Sequence, residues 1–237
     1  MNKTMKFLTA FKKLEEKLKK VAQAPADHTH FREIIAKAKD KNPLIALKEG
    51  MIWDLYGLRN VFAHKDRDKY IAEVNALAMD ETTKLLELLE HPPTVGQSFR
   101  TDMYIASLDT MTETVLRTMK EELYTHVPVY EDEKFIGVLT ETTVLDWLVE
   151  KINAGKANFD KQFVRDIKRA YLHSPTNKFE FVAEDRSVFD VLKLFEDSML
   201  AGERLGAVFV TTDGKKDRRP IGIITAWDLP RIKEHLM

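Results

Sequence analysis

Thr225 and Asp228 stand three residues apart directly after Ile221-Gly222-Ile223-Ile224, and Thr140 and Thr143 repeat that spacing after Ile136-Gly137-Val138-Leu139. A threonine at a strand end can donate its hydroxyl to an anionic oxygen, beside the free N–H groups that open the next helix. A carboxylate three residues further on can accept from two hydroxyl donors at once, or it can cap the helix. The first copy has threonine at that place and lacks the double acceptor. His126, just ahead of Val127-Pro128-Val129, offers an imidazole that can carry charge near neutral pH, and Arg204, Arg218 and Arg219 offer guanidinium groups. A second constellation is Arg59, Asn60 and His64, which pairs a proton-transferring imidazole with a cation able to stabilise an oxyanion.

These groups need elements to position them. From Lys3 to Ala22, Phe7, Ala10, Phe11, Leu14, Leu18 and Val21 recur at three- and four-residue steps, which is an amphipathic helix. Asp27 or Thr29 can cap a second helix carrying Phe31, Ile34, Ile35 and Ala38, which Lys41-Asn42-Pro43 should end. Further helical patterns run from about Leu44 to Ala63 and from about Asp68 to Glu90, so the first 90 residues or so read as an all-helical bundle.

His91-Pro92-Pro93-Thr94-Val95-Gly96 then breaks the period, and the domain boundary is placed there. Beyond it, short β-rich runs (Tyr104–Ala106, Val127–Tyr130, Phe135–Leu139) alternate with helical stretches (Thr112–Leu123, Thr142–Ile152), an α/β pattern. The unit then recurs. Ile136-Gly137-Val138-Leu139-Thr140 is echoed by Ile221-Gly222-Ile223-Ile224-Thr225, and Val115-Leu116-Arg117 by Val191-Leu192-Lys193, with Asp109 and Asp185 six residues ahead of each. Two landmarks in the same order indicate an internal duplication. The second copy adds Asp213-Gly214-Lys215-Lys216-Asp217-Arg218-Arg219-Pro220, a long basic hairpin loop.

A strand ending in Gly-Ile-Ile-Thr, then two residues and Asp-Leu at a helix start, preceded by a helix and a Val-Pro-Val strand, resembles the CBS domain. The resemblance implies a tandem βαββα pair over residues 97–237, with the first copy at about 97–153 and the second at about 160–237. It implies clefts for an adenosine-type ligand such as AMP, ADP, ATP or S-adenosylmethionine. On this resemblance Thr225 would meet a phosphate and Asp228 both ribose hydroxyls. Thr140 and Thr143 hold the matching places in the first copy, and His126 and Arg204 are further candidate phosphate contacts. A cationic His126 would suit a phosphate, whose binding would raise its pKa above about 6.5.

Arg59-Asn60, followed by His64 late in a small bundle, resembles the HEPN domain over residues 1–91. In ribonuclease members of that family such an arginine and histidine meet across a dimer and cut RNA without metal. Arg59 and His64 lie about 140° apart on an ideal helix, so a helix end near Ala63 or a symmetric dimer cleft is needed. Stepping 100° from Met51, the residues Met51, Leu55, Leu58 and Phe62 form the core stripe. Trp53, Tyr56, Gly57, Asn60 and His64 fall on the opposite face, which suggests a partner or substrate surface.

Composition narrows the classes. The 237 residues contain no cysteine, which removes disulfides, thiolate metal sites and cysteine nucleophiles. A net charge of -1 hides a basic front end over residues 1–70 and an acidic stretch over 71–150. His28-Thr29-His30 lacks a second half at metal-ligand spacing, and neither a P-loop nor a Gly-rich dinucleotide fingerprint is present. The expectation is an α+β two-domain regulator with no required cofactor or metal, no membrane contact, a cytoplasmic location and a homodimeric state, in which the nucleotide-binding pair controls or dimerises the helical domain. The alternatives are a ligand-gated, metal-independent endoribonuclease that takes RNA, and a ligand-free dimerisation module.

Overall fold

Phe7, Phe11, Leu14, Leu18 and Ala22 are buried on one face of α1 (Lys3–Ala22), the stripe that a 3.6-residue period produces from this spacing. The computed structural model describes residues 3–25, 29–63, 73–155, 161–172 and 178–234. It divides into two compact units, Met1–Pro93 and Thr94–Met237. The class is α+β: a helical N-terminal region, then two α/β repeats with mixed sheets.

In the first unit α1 packs on α2 (Phe31–Lys41), α4 (Glu49–Ala63) and α5 (Ala76–Glu90), with α3 (Pro43–Leu47) between α2 and α4. The structure corrects several expectations. The N-cap of α2 is His30, which makes no side-chain cap bond; Thr29 donates instead to the Pro25 carbonyl, and Asp27 lies outside the described residues. The helix expected over 44–63 is two helices, because Asn42 accepts from the N–H groups of Leu44 and Ile45 and so caps α3, with Pro43 at its first turn. The last helix begins at Ala76, capped by Asn75.

The core side of α4 is also shifted. Ile52, Leu55 and Phe62 are buried, while Met51 and Leu58 are only half-buried. Trp53 and Tyr56 are not a free face: Tyr56 stacks on Phe31 with ring centroids 4.1 Å apart, and Trp53 meets Phe31 edge-on at 5.5 Å.

In the second unit the short helix α6 (Val95–Ser98) opens with a capping box from Thr94 and Gln97. The first repeat follows as β1 (Ala106–Ser107), α7 (Thr112–Glu121), β2 (His126–Glu131), β3 (Lys134–Thr140) and α8 (Glu141–Asn153). A 3-10 turn at Val164–Ile167 and α9 (Lys168–Leu172) lead to β4 (Lys178–Ala183), α10 (Val188–Leu200), β5 (Leu205–Thr211), β6 (Gly222–Thr225) and, after a 3-10 turn, α11 (Leu229–Glu234).

The sheets are copies of each other, β1-β2-β3 and β4-β5-β6, the first pair parallel and the second antiparallel in each. Val138, Ala207 and Phe209 are buried together, with Phe135, Phe179 and Phe181 packed against them, and this is where the two sheets meet. The motif glycines carry the same role in both copies. A Cβ on Gly137 would collide with the Tyr171 carbonyl, and one on Gly222 with the Phe99 carbonyl, so each repeat accepts at its glycine the backbone that leads into the other.

Candidate functional site

Thr225 ends β6, and the 3-10 turn Ala226–Asp228 follows it. Asp228 Oδ2 accepts from the Thr225 N–H at 2.8 Å and from the Thr225 hydroxyl at 3.0 Å. Asp228 is half-buried and faces a cleft of about 490 Å³. The opposite wall comes from the first repeat: Thr101–Tyr104, the strip entering β1, and Tyr124–His126, the start of β2. Thr101 N–H donates to the Ile221 carbonyl at 3.0 Å, which fixes that strip beside β6. The cleft therefore combines a carboxylate, a hydroxyl, strand-edge backbone and the apolar Met103 and Ile223.

Thr140 and Thr143 build the same capping box in the first repeat, with Thr140 N–H donating to Thr143 Oγ1 at 2.9 Å and Thr143 N–H to Thr140 Oγ1 at 3.2 Å. Here the box is closed. Thr143 is only 4% exposed, lines neither cleft and donates its hydroxyl to the Thr140 carbonyl. Thr140 reaches the margin of a second cleft of about 310 Å³.

His126 lies on β2 opposite Thr140. Its Nδ1 pairs with the Thr125 hydroxyl at 2.8 Å, and its Nε2 is buried with no hydrogen-bond partner. A Cβ on Gly206 would sit 2.7 Å from that nitrogen and would force the ring to shift. Burial, then the nearby Arg204 guanidinium, pull its pKa down to about 4. Without a ligand the ring is neutral at pH 7, and it lines both clefts.

Arg204 is exposed, precedes β5 and lines the second cleft. Arg218 and Arg219 do not join it. They border a separate hollow of about 360 Å³ with Ser107 and Tyr130, because the loop between β5 and β6 is tied down by the Tyr130 hydroxyl, which donates to the Lys216 and Arg218 carbonyls at 2.6 and 3.0 Å. Among the described residues no group of three or more His, Asp or Glu could hold a metal ion, and no helix is long and apolar enough to cross a membrane.

In the helical unit Arg59 Nη1 donates to Asn60 Oδ1 at 3.0 Å, while His64 lies outside the described residues. The sequence reading missed Thr101–Tyr104, Tyr124, Trp227 and Arg231 as cleft residues. The strip at 101–104 has no period of its own, and only the pairing to β6 brings it to Asp228.

A family model described as CBS domain matches residues 95–150 and 164–233, together more than half of the chain. No curated protein matches it. Among solved structures, AcuB from Vibrio cholerae is similar at 16% identity, covering 61% of this chain and 93% of that one, with a TM-score of 0.44. CBSX2, a protein of Arabidopsis thaliana, in complex with AMP is similar at 21% identity, covering 60% and 97%, with a TM-score of 0.42. Protein MJ1225 from Methanocaldococcus jannaschii is similar at 14% identity, covering 73% and 57%, with a TM-score of 0.44.

Proposed function

The chain belongs to the CBS-domain family, and from that premise we propose that it is a regulatory protein whose cleft at Asp228 takes an adenine nucleotide. The observation that carries this reading is the pairing of Asp228 Oδ2 with Thr225 at 2.8 and 3.0 Å beside an open cleft. Both Thr225 bonds fall on one carboxylate oxygen, so the other is left to accept from ribose hydroxyls. The base would lie between Met103 and Ile223, where the Thr101–Tyr104 strip offers edge backbone groups. The 5′ phosphate would meet the backbone N–H groups of the turn after Thr225, because the Thr225 hydroxyl proton is already given to Asp228.

The same strip supplies a route for regulation. Val95 N–H and Gly96 N–H donate to the Arg186 and Glu184 carbonyls at 2.9 Å, and Phe99 and Arg100, three residues on, already line the cleft. A ligand that binds one arrangement of this wall more tightly than another would thereby bias the segment joining the helical unit, and equal affinity would shift nothing. The HEPN-like assignment of residues 1–91 and the ribonuclease alternative through Arg59, Asn60 and His64 rest on the resemblance alone. The homodimer is supported by an apolar groove formed by α7, the turn after it and α8, where Leu123 and Leu145 are exposed.

The test is a thermal-shift titration with AMP, ADP, ATP and S-adenosylmethionine beside Asp228→Ala. A native-state ligand at a hundredfold excess over Kd adds about 2.7 kcal/mol. A shift lost in Asp228→Ala is the expected result. No shift with any of the four makes the pair a ligand-free dimerisation module.

A further inference from the structure

One flank of α1 carries lysine and no acid. Lys3, Lys6, Ala10, Lys13, Lys17 and Lys20 follow at alternating three- and four-residue steps, and at 100° per residue they fall within about 100° of arc. Lys17 is half-buried and the other four lysines are exposed.

The opposite stripe runs along α5. Ala76, Asp80, Thr83, Glu87 and Glu90 keep the same steps within about 80° of arc, and Glu73, just ahead of the Asn75 cap, continues the spacing. All six are exposed. Among the described residues the ion pairs of the helical unit are Lys19 with Glu15 and Lys39 with Glu49, both off these stripes. Thus α1 and α5 pack on each other within the chain, yet no ion pair joins lysine stripe to acidic stripe.

Both stripes also oppose the dipoles of their own helices. Lys3 and Lys6 stand in the first two turns of α1, at its positive end, and Glu87 and Glu90 close α5, whose last turn has no basic residue. Charges placed for helix stability alone would stand the other way round. A second helix running in the opposite direction would meet each of them with its complement.

We propose that α1 of one chain lies antiparallel against α5 of a second copy, with the reciprocal pairing made across a two-fold axis. In that register Lys3 faces Glu90, Lys6 faces Glu87, Ala10 faces Thr83, Lys13 faces Asp80 and Lys20 faces Glu73, while Lys17 lies beside the small Ala76. The parallel register sets three lysines against acids instead of four and aligns the two dipoles. Because α1 and α5 are neighbours, one axis serves both pairings. Exposed ion pairs are individually weak, so the whole row sets the register and salt weakens it. This surface belongs to the helical unit; it is separate from the groove of α7 and α8 and independent of the nucleotide reading.

The experiment is site-directed cross-linking of the full chain, which has no cysteine of its own. Lys6→Cys protein is mixed with Glu87→Cys protein, treated with a short bismaleimide and read as covalent dimer on a denaturing gel. A mixture of Lys6→Cys and Ala76→Cys reports the parallel register. The first mixture should give the product, with a yield that falls as salt rises, and the second should not. Lys13→Glu carried on both proteins should remove the product, and adding Asp80→Lys to both should restore it. These positions are exposed, so the variants fold, and their circular dichroism should match wild type. No covalent dimer, equal yields from the two mixtures, a product indifferent to Lys13→Glu, or a loss that Asp80→Lys does not restore overturns this inference and leaves the α7–α8 groove and the Asp228 reading intact.

Discussion

Asp228 and Thr225 hold each other: one carboxylate oxygen accepts from both the Thr225 N–H, at 2.8 Å, and the Thr225 hydroxyl, at 3.0 Å. Thr143 and Thr140 hold each other in the same positions of the first repeat. The pairing is a structural cap in both copies, and the carboxylate, with its second oxygen, is what distinguishes the second.

That division separates folding from binding at one residue. Asp228→Asn keeps an oxygen for the cap and loses the charge, so its melting temperature should stay near wild type while nucleotide affinity falls about tenfold. Asp228→Ala should lose binding and about 1 kcal/mol of stability. Wild-type affinity in Asp228→Asn, read by calorimetry, would remove the carboxylate from the site.

A second consequence is stoichiometric. The first repeat offers a buried Thr143 where the second offers Asp228, and Phe135, Phe179 and Phe181 fill the space between the sheets. One nucleotide should bind per chain. A calorimetric ratio of two would show that the first repeat opens to admit a ligand.

The motif glycines give a packing prediction. Gly137→Ala and Gly222→Ala each drive a methyl into a backbone carbonyl, Tyr171 and Phe99 respectively, and a backbone carbonyl cannot give way as a flexible side chain does. Each should cost about 3 kcal/mol. Gly57→Ala in α4 meets nothing within 4 Å and should gain about 0.5–1 kcal/mol through helix propensity. Urea unfolding of the three variants checks the contrast, and equal effects would contradict it.

Much of this was legible before the structure. The α1 stripe, the repeated Ile-Gly strands and the Thr-x-x-Asp and Thr-x-x-Thr pairs are local patterns, each set by the period of one element. What was not legible depends on partners distant in the chain. His126 is neutral because it is buried, against Gly206 of the second repeat, and because the Arg204 charge lies nearby. Trp53 and Tyr56 are half-buried because Phe31 of another helix stacks on Tyr56 and meets Trp53 edge-on. Asn42 looked like a helix stop and is also a helix start, since the same side chain that ends one period caps the next.

The insertion between β5 and β6 is tied to the first repeat by the Tyr130 hydroxyl, whose one proton is shared between the Lys216 and Arg218 carbonyls, and by the Phe135 N–H, which donates to Asp217 Oδ1 at 3.2 Å. Tyr130→Phe removes that shared bond and leaves the loop held by Asp217. Stability should fall by about 1 kcal/mol, and trypsin should cleave at Lys215 or Lys216 faster than in wild type. Unchanged cleavage would mean that Asp217 alone holds the loop.

The last prediction concerns pH. His126 has a native pKa of about 4, below the roughly 6.5 of an unfolded histidine. Between those values the unfolded chain holds a proton that the folded chain rejects, so lowering the pH favours unfolding. The stability linked to this residue is complete above about pH 6.5 and is lost as the pH falls toward 4, by at most about 3 kcal/mol. His126→Asn does not titrate and should show a shallower decline over that window in urea midpoints measured at half-unit steps. Parallel curves for the two proteins would show that the ring finds room to protonate, and that Gly206 and Arg204 do not confine it as the structure has them.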